Sequence, residues 1–374
     1  MEIKTLSTVP GLPFNNMLET FFDEHKVDEE IECYQLVYCP YGYGTNFGDL
    51  NQIYFKSRVV ILNMLDTIID NKDNVDVEGI ERFCANHPEQ NFIISCPHFN
   101  MQREFDIPNL YLCAFMPTSL DEDLVHCEKK DLTNRWVSFN SDTKLHRVLT
   151  VSYLLSKDYH QNGFFTFDME KPALVKYDQY RNITKISNYQ LRSSFAKGLS
   201  KFKTKDFNRL KIAKFDQNDL RLSYNYNVNL FPVYERIGVE IITGTMFFER
   251  SPVLSEKEMQ SVYAKNFPIY INGVGMAKEF KKFFSVDIFE DIVDHSYDEI
   301  EDHFERLAAA IDRNQHLLDG STNIRELWYD NKKRHDENCL IMDEHVHAGK
   351  YQNTFNRERI KSALRHFDVS FTEK

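Results

Sequence analysis

The sequence predicts an α/β chain of two Rossmann-like domains with a cleft between them, on three observations. Short runs rich in Tyr, Val, Ile and Phe alternate with amphipathic stretches in both halves, the pattern of parallel strands joined by crossover helices. The 374 residues are more than one small core needs and suit two domains. A charged stretch, "SLDEDLVHCEKKDLTN" at 119–134, reads as the connection between them. The expected division is 1–130, 131–330 and a helical extension over 331–374.

Residues 1–30 read as an irregular or helical lead-in. "IECYQLVYC" (31–39) predicts a strand, ending in the glycine-rich loop "PYGYGTNFGDL" (40–50). "RVVILNMLDTIID" (58–70) is apolar and fits strand or helix by periodicity. "VEGIERFCANH" (77–87) predicts a helix, with Ile80, Phe83 and Cys84 on one face. "NFIISC" (91–96) and "NLYLCAF" (109–115) predict buried strands. In the second half, 135–141, 237–248 and 268–272 predict strands, and 142–159 and 256–265 predict helices. A further helix is expected over 296–320, opened by a capping box of Ser296 and Glu299 and closed by Gly320.

Several classes are set aside. No apolar run reaches the ~20 residues of a membrane helix, and the N-terminus lacks a signal peptide's basic and apolar regions. Seven scattered cysteines without a C-x-x-C pair point to a reducing, cytoplasmic setting (the host cytoplasm if the chain is viral). The glycines of "GYGTNFG" lack dinucleotide-loop spacing. Net charge is −12, against an obligate nucleic-acid binder. Yet 192–214, "RSSFAKGLSKFKTKDFNRLKIAK", holds Lys197, Lys201, Lys203, Lys205 and Arg209 among its basic residues and only one acidic residue, Asp206. It reads as a solvated basic segment or as a polyanion-binding patch.

"VLSEKEMQSVYAKNFPIYINGVG" (253–275) poses a physical problem. Ser255 and Glu258 form a capping box, and Glu256 suits the positive end of the helix dipole. Lys257 is repelled by that same end unless an anion also sits there. This stretch resembles the donor-binding signature of GT-B glycosyltransferases related to the α1,3-fucosyltransferases. "FFSVDIFEDIVDHSYDEIEDHFERLAAAID" (283–312) resembles the acidic continuation found in phage and bacterial proteins of this kind. "RWVSFNSDTKLHRVLTVSYLLSKDYHQNGFFTF" (135–167) resembles an earlier segment of the family. About half the chain is covered, nearly all of it C-terminal.

The resemblance implies a GT-B-like fold and metal-independent transfer of a sugar from a UDP- or GDP-linked donor to an acceptor hydroxyl, with no cofactor beyond that donor. Glu256 would hold the ribose hydroxyls and Lys257 the phosphates, with Ser255, Gly273 and Arg147 completing the donor site. Two departures stand out: Gln260 where relatives carry Lys or Arg, and Gly244–Thr245 where they carry Glu-Thr. An inverting reaction needs a general base, for which Asp49 and His98 are the candidates at expected strand ends. The expected acceptor is a hydroxylated or hydroxymethylated base in phage double-stranded DNA, flipped out of the helix and held through the basic segment. A glycan on Tyr41, Tyr43 and Phe47 is the alternative, and a non-catalytic interaction protein is the third reading. No metal is expected, His335, His345 and His347 forming only a loose cluster.

Overall fold

The computed structural model describes residues 3–5, 21–36, 50–64, 75–96, 106–114, 126–133, 135–140, 145–165, 183–202, 230–244, 247, 252–346 and 350–374, with a few side chains, that of Glu256 among them, outside the description. The fold is α/β with parallel sheets. The chain divides into two compact units: residues 1–121, 248–254 and 343–374, and residues 122–247 and 255–342.

The first unit holds a five-stranded sheet in the order β1 (Ile3–Thr5), β3 (Ile31–Leu36), β4 (Val59–Met64), β5 (Asn91–Cys96), β6 (Leu110–Ala114), every neighbouring pair parallel. The run at 58–70, ambiguous by periodicity, is therefore a strand at its start. β2 (His25–Val27) pairs antiparallel with Phe371–Glu373. The N-terminal lead-in, read as irregular or helical, is helical over 21–24 and also contributes two strands, which corrects that reading in part. Three-residue strands are too short to show a period of two, and only their partners reveal them.

Strand alternation sorts this core. Tyr34, Val60, Leu62, Phe92, Ile94, Leu110 and Leu112 face one way and pack with Ile80, Phe83 and Cys84 of α1 (Val75–Asn86). Ile31, Cys33, Val59, Ile61 and Ile93 face the other way and pack with Ile360, Ala363 and Leu364 of the C-terminal helix, Lys350–His366. Each buried side chain of this kind contributes roughly 1.5–3 kcal/mol. Both faces are covered, as a parallel sheet requires. The strands nevertheless run in sequence order across the sheet, without the reversal of a doubly wound fold. Among the described residues the second face is covered by the end of the chain together with Phe21 of the short helical turn 21–24.

The second unit holds four parallel strands in the order β10-β9-β7-β8: β7 (Trp136–Ser138), β8 (Gly163–Phe165), β9 (Val239–Thr243) and β10 (Phe267–Ile271). α2 (Leu145–Ser156) links β7 to β8, and α4 (Glu256–Tyr263) links β9 to β10. α3 (Tyr189–Phe202) packs on α2. Their closest approach is at Gly198, where a Cβ would lie 1.7 Å from the Ser152 carbonyl oxygen. α5 (Met276–Phe284), α6 (His303–Arg313), α7 (Ile324–Asp330) and α8 (Lys332–Val346) follow.

The helix expected over 296–320 is broken up. A 3-10 turn covers Ser296–Glu299, and α6 is capped by Asp302, whose carboxylate accepts from the backbone N–H of Phe304 and Glu305 at 2.9 Å each. Asn314 ends α6, its side chain bonded to Ala310 and Asp294. The Ser296 capping box does not form: the Ser296 hydroxyl donates to Asp294 and Glu299 pairs with Lys278, while Asp298 between them serves another helix. Its carboxylate accepts from the Ala277 N–H at 2.7 Å and caps α5, whose own N-cap, Gly275, has no side chain.

Candidate functional site

The strand order of the second sheet locates the site. β7 comes first in sequence, β8 lies on one side of it, and β9 and β10 lie on the other. Crossover direction therefore reverses between β7 and β9. Under the right-handed crossover rule the intervening helices leave on opposite faces and open a crevice at the carboxyl ends of these strands.

Polar residues line those ends. Thr243 closes β9, and its hydroxyl donates to Asn140 Oδ1 at 2.8 Å. The Asn140 amide donates to Ser138 at the end of β7. In the first turn of α2, His146 Nε2 lies 2.9 Å from the Gly244 carbonyl, and its ring stacks on Phe247 at 5.4 Å. Beside it Arg147 is only 2% exposed, which sets it apart from a solvated surface charge.

α4 opens with the expected capping box. Glu258, fully buried, accepts from the Ser255 N–H at 2.9 Å and from the Ser255 hydroxyl at 2.5 Å. Its other oxygen accepts from Asn272 Nδ2 at 2.9 Å, just past the end of β10. Asn272 Oδ1 in turn accepts from the Gly273 N–H at 2.7 Å. Lys257 sits half-buried in the first turn of α4. Glu256 opens the helix.

Gly244 and Gln260, which depart from the signature the stretch resembles, each sit where the structure gives a physical reason for the residue. A Cβ at Gly244 would lie 2.3 Å from Asn272 Nδ2, so the absence of a side chain there makes room for the Asn272–Glu258 contact. Gln260 is fully buried, a position where a cation would lose its solvation.

Arg306 of α6 is the strongest feature that the sequence reading missed. It is 1% exposed. Its guanidinium donates to the carbonyls of Asn272 (3.2 Å), Ile300 (2.7 Å), Glu301 (3.4 Å) and Phe247 (3.2 Å), and lies 3.0 Å from His303 Nδ1. It also covers the Phe247 ring at 5.2 Å. Burial pushes its pKa down to about 10. Burial, and then the Arg306 charge, push His303 down to about 4. Asp298 is pushed up to about 6 by burial, against the backbone N–H groups it accepts from. The alanine run Ala308–Ala310 was the available signal: small residues mark a helix packed on several sides, which turns its neighbour Arg306 inward.

The other expected residues fall as follows. Lys197 donates to the Ser156 carbonyl at 2.8 Å, and Lys201 to the Leu155 carbonyl at 2.7 Å and to Asp158. These two lysines therefore cap the C-terminal end of α2, where cations are favoured. Lys203, Lys205, Arg209, Asp49, His98, Tyr41, Tyr43, Phe47 and His347 lie outside the described residues. His335 is buried and stacked on Trp328. Among the described residues no group of three or more His, Cys, Asp or Glu is arranged to hold a metal ion, and no helix is long and apolar enough to cross a membrane. A cavity of about 710 Å³ beside the start of α5 is lined by the acidic Glu290, Asp291, Asp294, Asp298 and Glu299, which outnumber its basic Lys278, His295 and His316. Its carboxylates repel a diphosphate, so the sheet edge is the better anion site.

No family model, curated protein or solved structure matches the chain.

Proposed function

We propose that the second unit binds the nucleotide diphosphate of a sugar donor and that the chain is a nucleotide-sugar-dependent glycosyltransferase. The observation that carries this reading is the strand reversal between β7 and β9. The starts of α2, with buried Arg147, and of α4, with half-buried Lys257, flank the carboxyl ends of the reversed strands. A helix N-terminus offers free N–H groups and a positive dipole to a phosphate. A cation beside it stabilises the charge that develops on the leaving diphosphate as the glycosidic bond breaks.

The roles are those the resemblance implies. Lys257 contacts the phosphates, Arg147 approaches from the other helix start, and Glu256 takes the ribose hydroxyls. Ser255 and Gly273 shape the two turns, since the Ser255 N–H and hydroxyl are both turned to Glu258 and the Gly273 N–H to Asn272. The acceptor is left open. Lys197 and Lys201 serve α2, which removes two of the five cations offered to DNA.

The test is thermal unfolding with a panel of UDP- and GDP-sugars, with Lys257→Ala alongside. A donor at ~100-fold excess over its Kd should stabilise the wild type by about 2–3 kcal/mol, and the variant should lose that gain. No shift with any donor sinks the proposal in favour of a non-catalytic interaction protein.

A further inference from the structure

We infer that Arg306 is a positioning residue of the nucleotide site, holding the two helix starts that flank it in register without touching the ligand. The inference rests on the donor reading above. Arg306 has five N–H donors and five acceptors within reach: the carbonyls of Phe247, Asn272, Ile300 and Glu301, and His303 Nδ1. None remains for a phosphate.

Two arms lead from it. Through the Asn272 carbonyl it fixes the residue whose side chain binds Glu258, and Glu258 binds Ser255 at the start of α4. Through Phe247 it fixes the ring on which His146 stacks, and His146 binds the Gly244 carbonyl at the start of α2. One side chain thus connects to both turns that carry the proposed phosphate cations, Lys257 and Arg147.

The hydrogen bonds of Arg306 all end on neutral acceptors, and the carboxylates of Asp298, Glu301 and Asp302 act on its charge without a direct bond to it. A guanidinium buried against neutral acceptors is a poor stabiliser compared with an apolar side chain of similar volume. What it supplies is a planar fork that reaches several chain segments at fixed angles, which a lysine cannot copy.

The experiment titrates full-length wild type, Arg306→Lys, Phe247→Leu and Tyr153→Phe with UDP and with GDP by calorimetry, and records each unfolding midpoint. Tyr153→Phe is the control, losing the 2.7 Å bond to Asp312 near the far end of α6. Arg306→Lys and Phe247→Leu should each weaken nucleotide binding by about tenfold. The salt dependence of the remaining binding should match the wild type, since no ligand charge contact has gone. Tyr153→Phe should lower the midpoint and leave affinity intact.

Wild-type affinity in Arg306→Lys, or a salt dependence that flattens because Arg306 met the phosphate directly, overturns the inference alone. An equal loss of affinity in Tyr153→Phe also overturns it, because the effect then follows stability. If Arg306→Lys does not fold, Phe247→Leu decides on the same criteria. A wild type that binds neither nucleotide overturns the donor reading and the inference with it.

Discussion

The carboxylate of Glu258 and the side-chain amide of Asn272 meet at 2.9 Å inside the second unit, joining the start of α4 to the end of β10. Both residues are at most 2% exposed. Asn272→Ala would leave a carboxylate oxygen short of a partner in a place water does not reach, and would free the Gly273 N–H as well. The expected loss is about 2–3 kcal/mol, read from urea unfolding. A change within about 0.5 kcal/mol, the range of an ordinary surface substitution, would show that the contact carries no stability.

Gly244 faces the same amide. Gly244→Ala places a methyl group 2.3 Å from Asn272 Nδ2, and the overlap should cost about 1–3 kcal/mol. Because the clash is with one side chain, the double variant with Asn272→Ala should be more stable than the sum of the single losses predicts. Strict additivity in a double-mutant cycle would argue that Gly244 is required by its backbone and not by Asn272.

Gly198 tests the packing of the basic helix. Its Cα faces the backbone of Ser152, with only 1.7 Å available to a Cβ. A backbone atom cannot swing away, so Gly198→Ala must separate α3 from α2, at about 3 kcal/mol or more. The same separation should release Lys197 and Lys201 from the α2 carbonyls. Unchanged unfolding would mean that α3 does not lie against α2.

His303 predicts a pH dependence. Its pKa falls from an ordinary 6.5 to about 4 on folding, so between those values the unfolded chain binds the extra proton. The resulting stability is fully present above about 6.5 and is lost as pH falls toward about 4. Asp298, raised to about 6, acts in the opposite sense: stability from its protonated form is lost as pH rises through about 6. His303→Gln should therefore remove part of the rise in stability between pH 4 and 6.5, measured as the unfolding midpoint across that window. An identical pH profile in the variant would place His303 in contact with solvent.

Much of the fold was legible in the sequence because it depends on local pattern. "NFIISC" became β5 without a change of boundary, and the capping box of Ser255 and Glu258 formed as read. Strands of three residues and the covering of the first sheet by the C-terminal helix were not legible, because each depends on a partner distant in the chain, whereas the cap at Asp302 is local and was passed over for Ser296.

The candidate site divides along the same line. Sequence alone determined that Lys257 stands where a helix dipole repels it, that Gly244 lacks a side chain and that Gln260 carries no charge, since these are matters of residue type and spacing. Only the tertiary structure decided that Asn272 fills the space beside Gly244 and that Gln260 is buried. The same holds for Lys197 and Lys201, which serve a helix end, and for Arg306, which connects both helix starts. Periodicity reports which face of an element is apolar, whereas a buried hydrogen bond depends on which distant backbone atoms the fold brings within 3 Å or so of a donor.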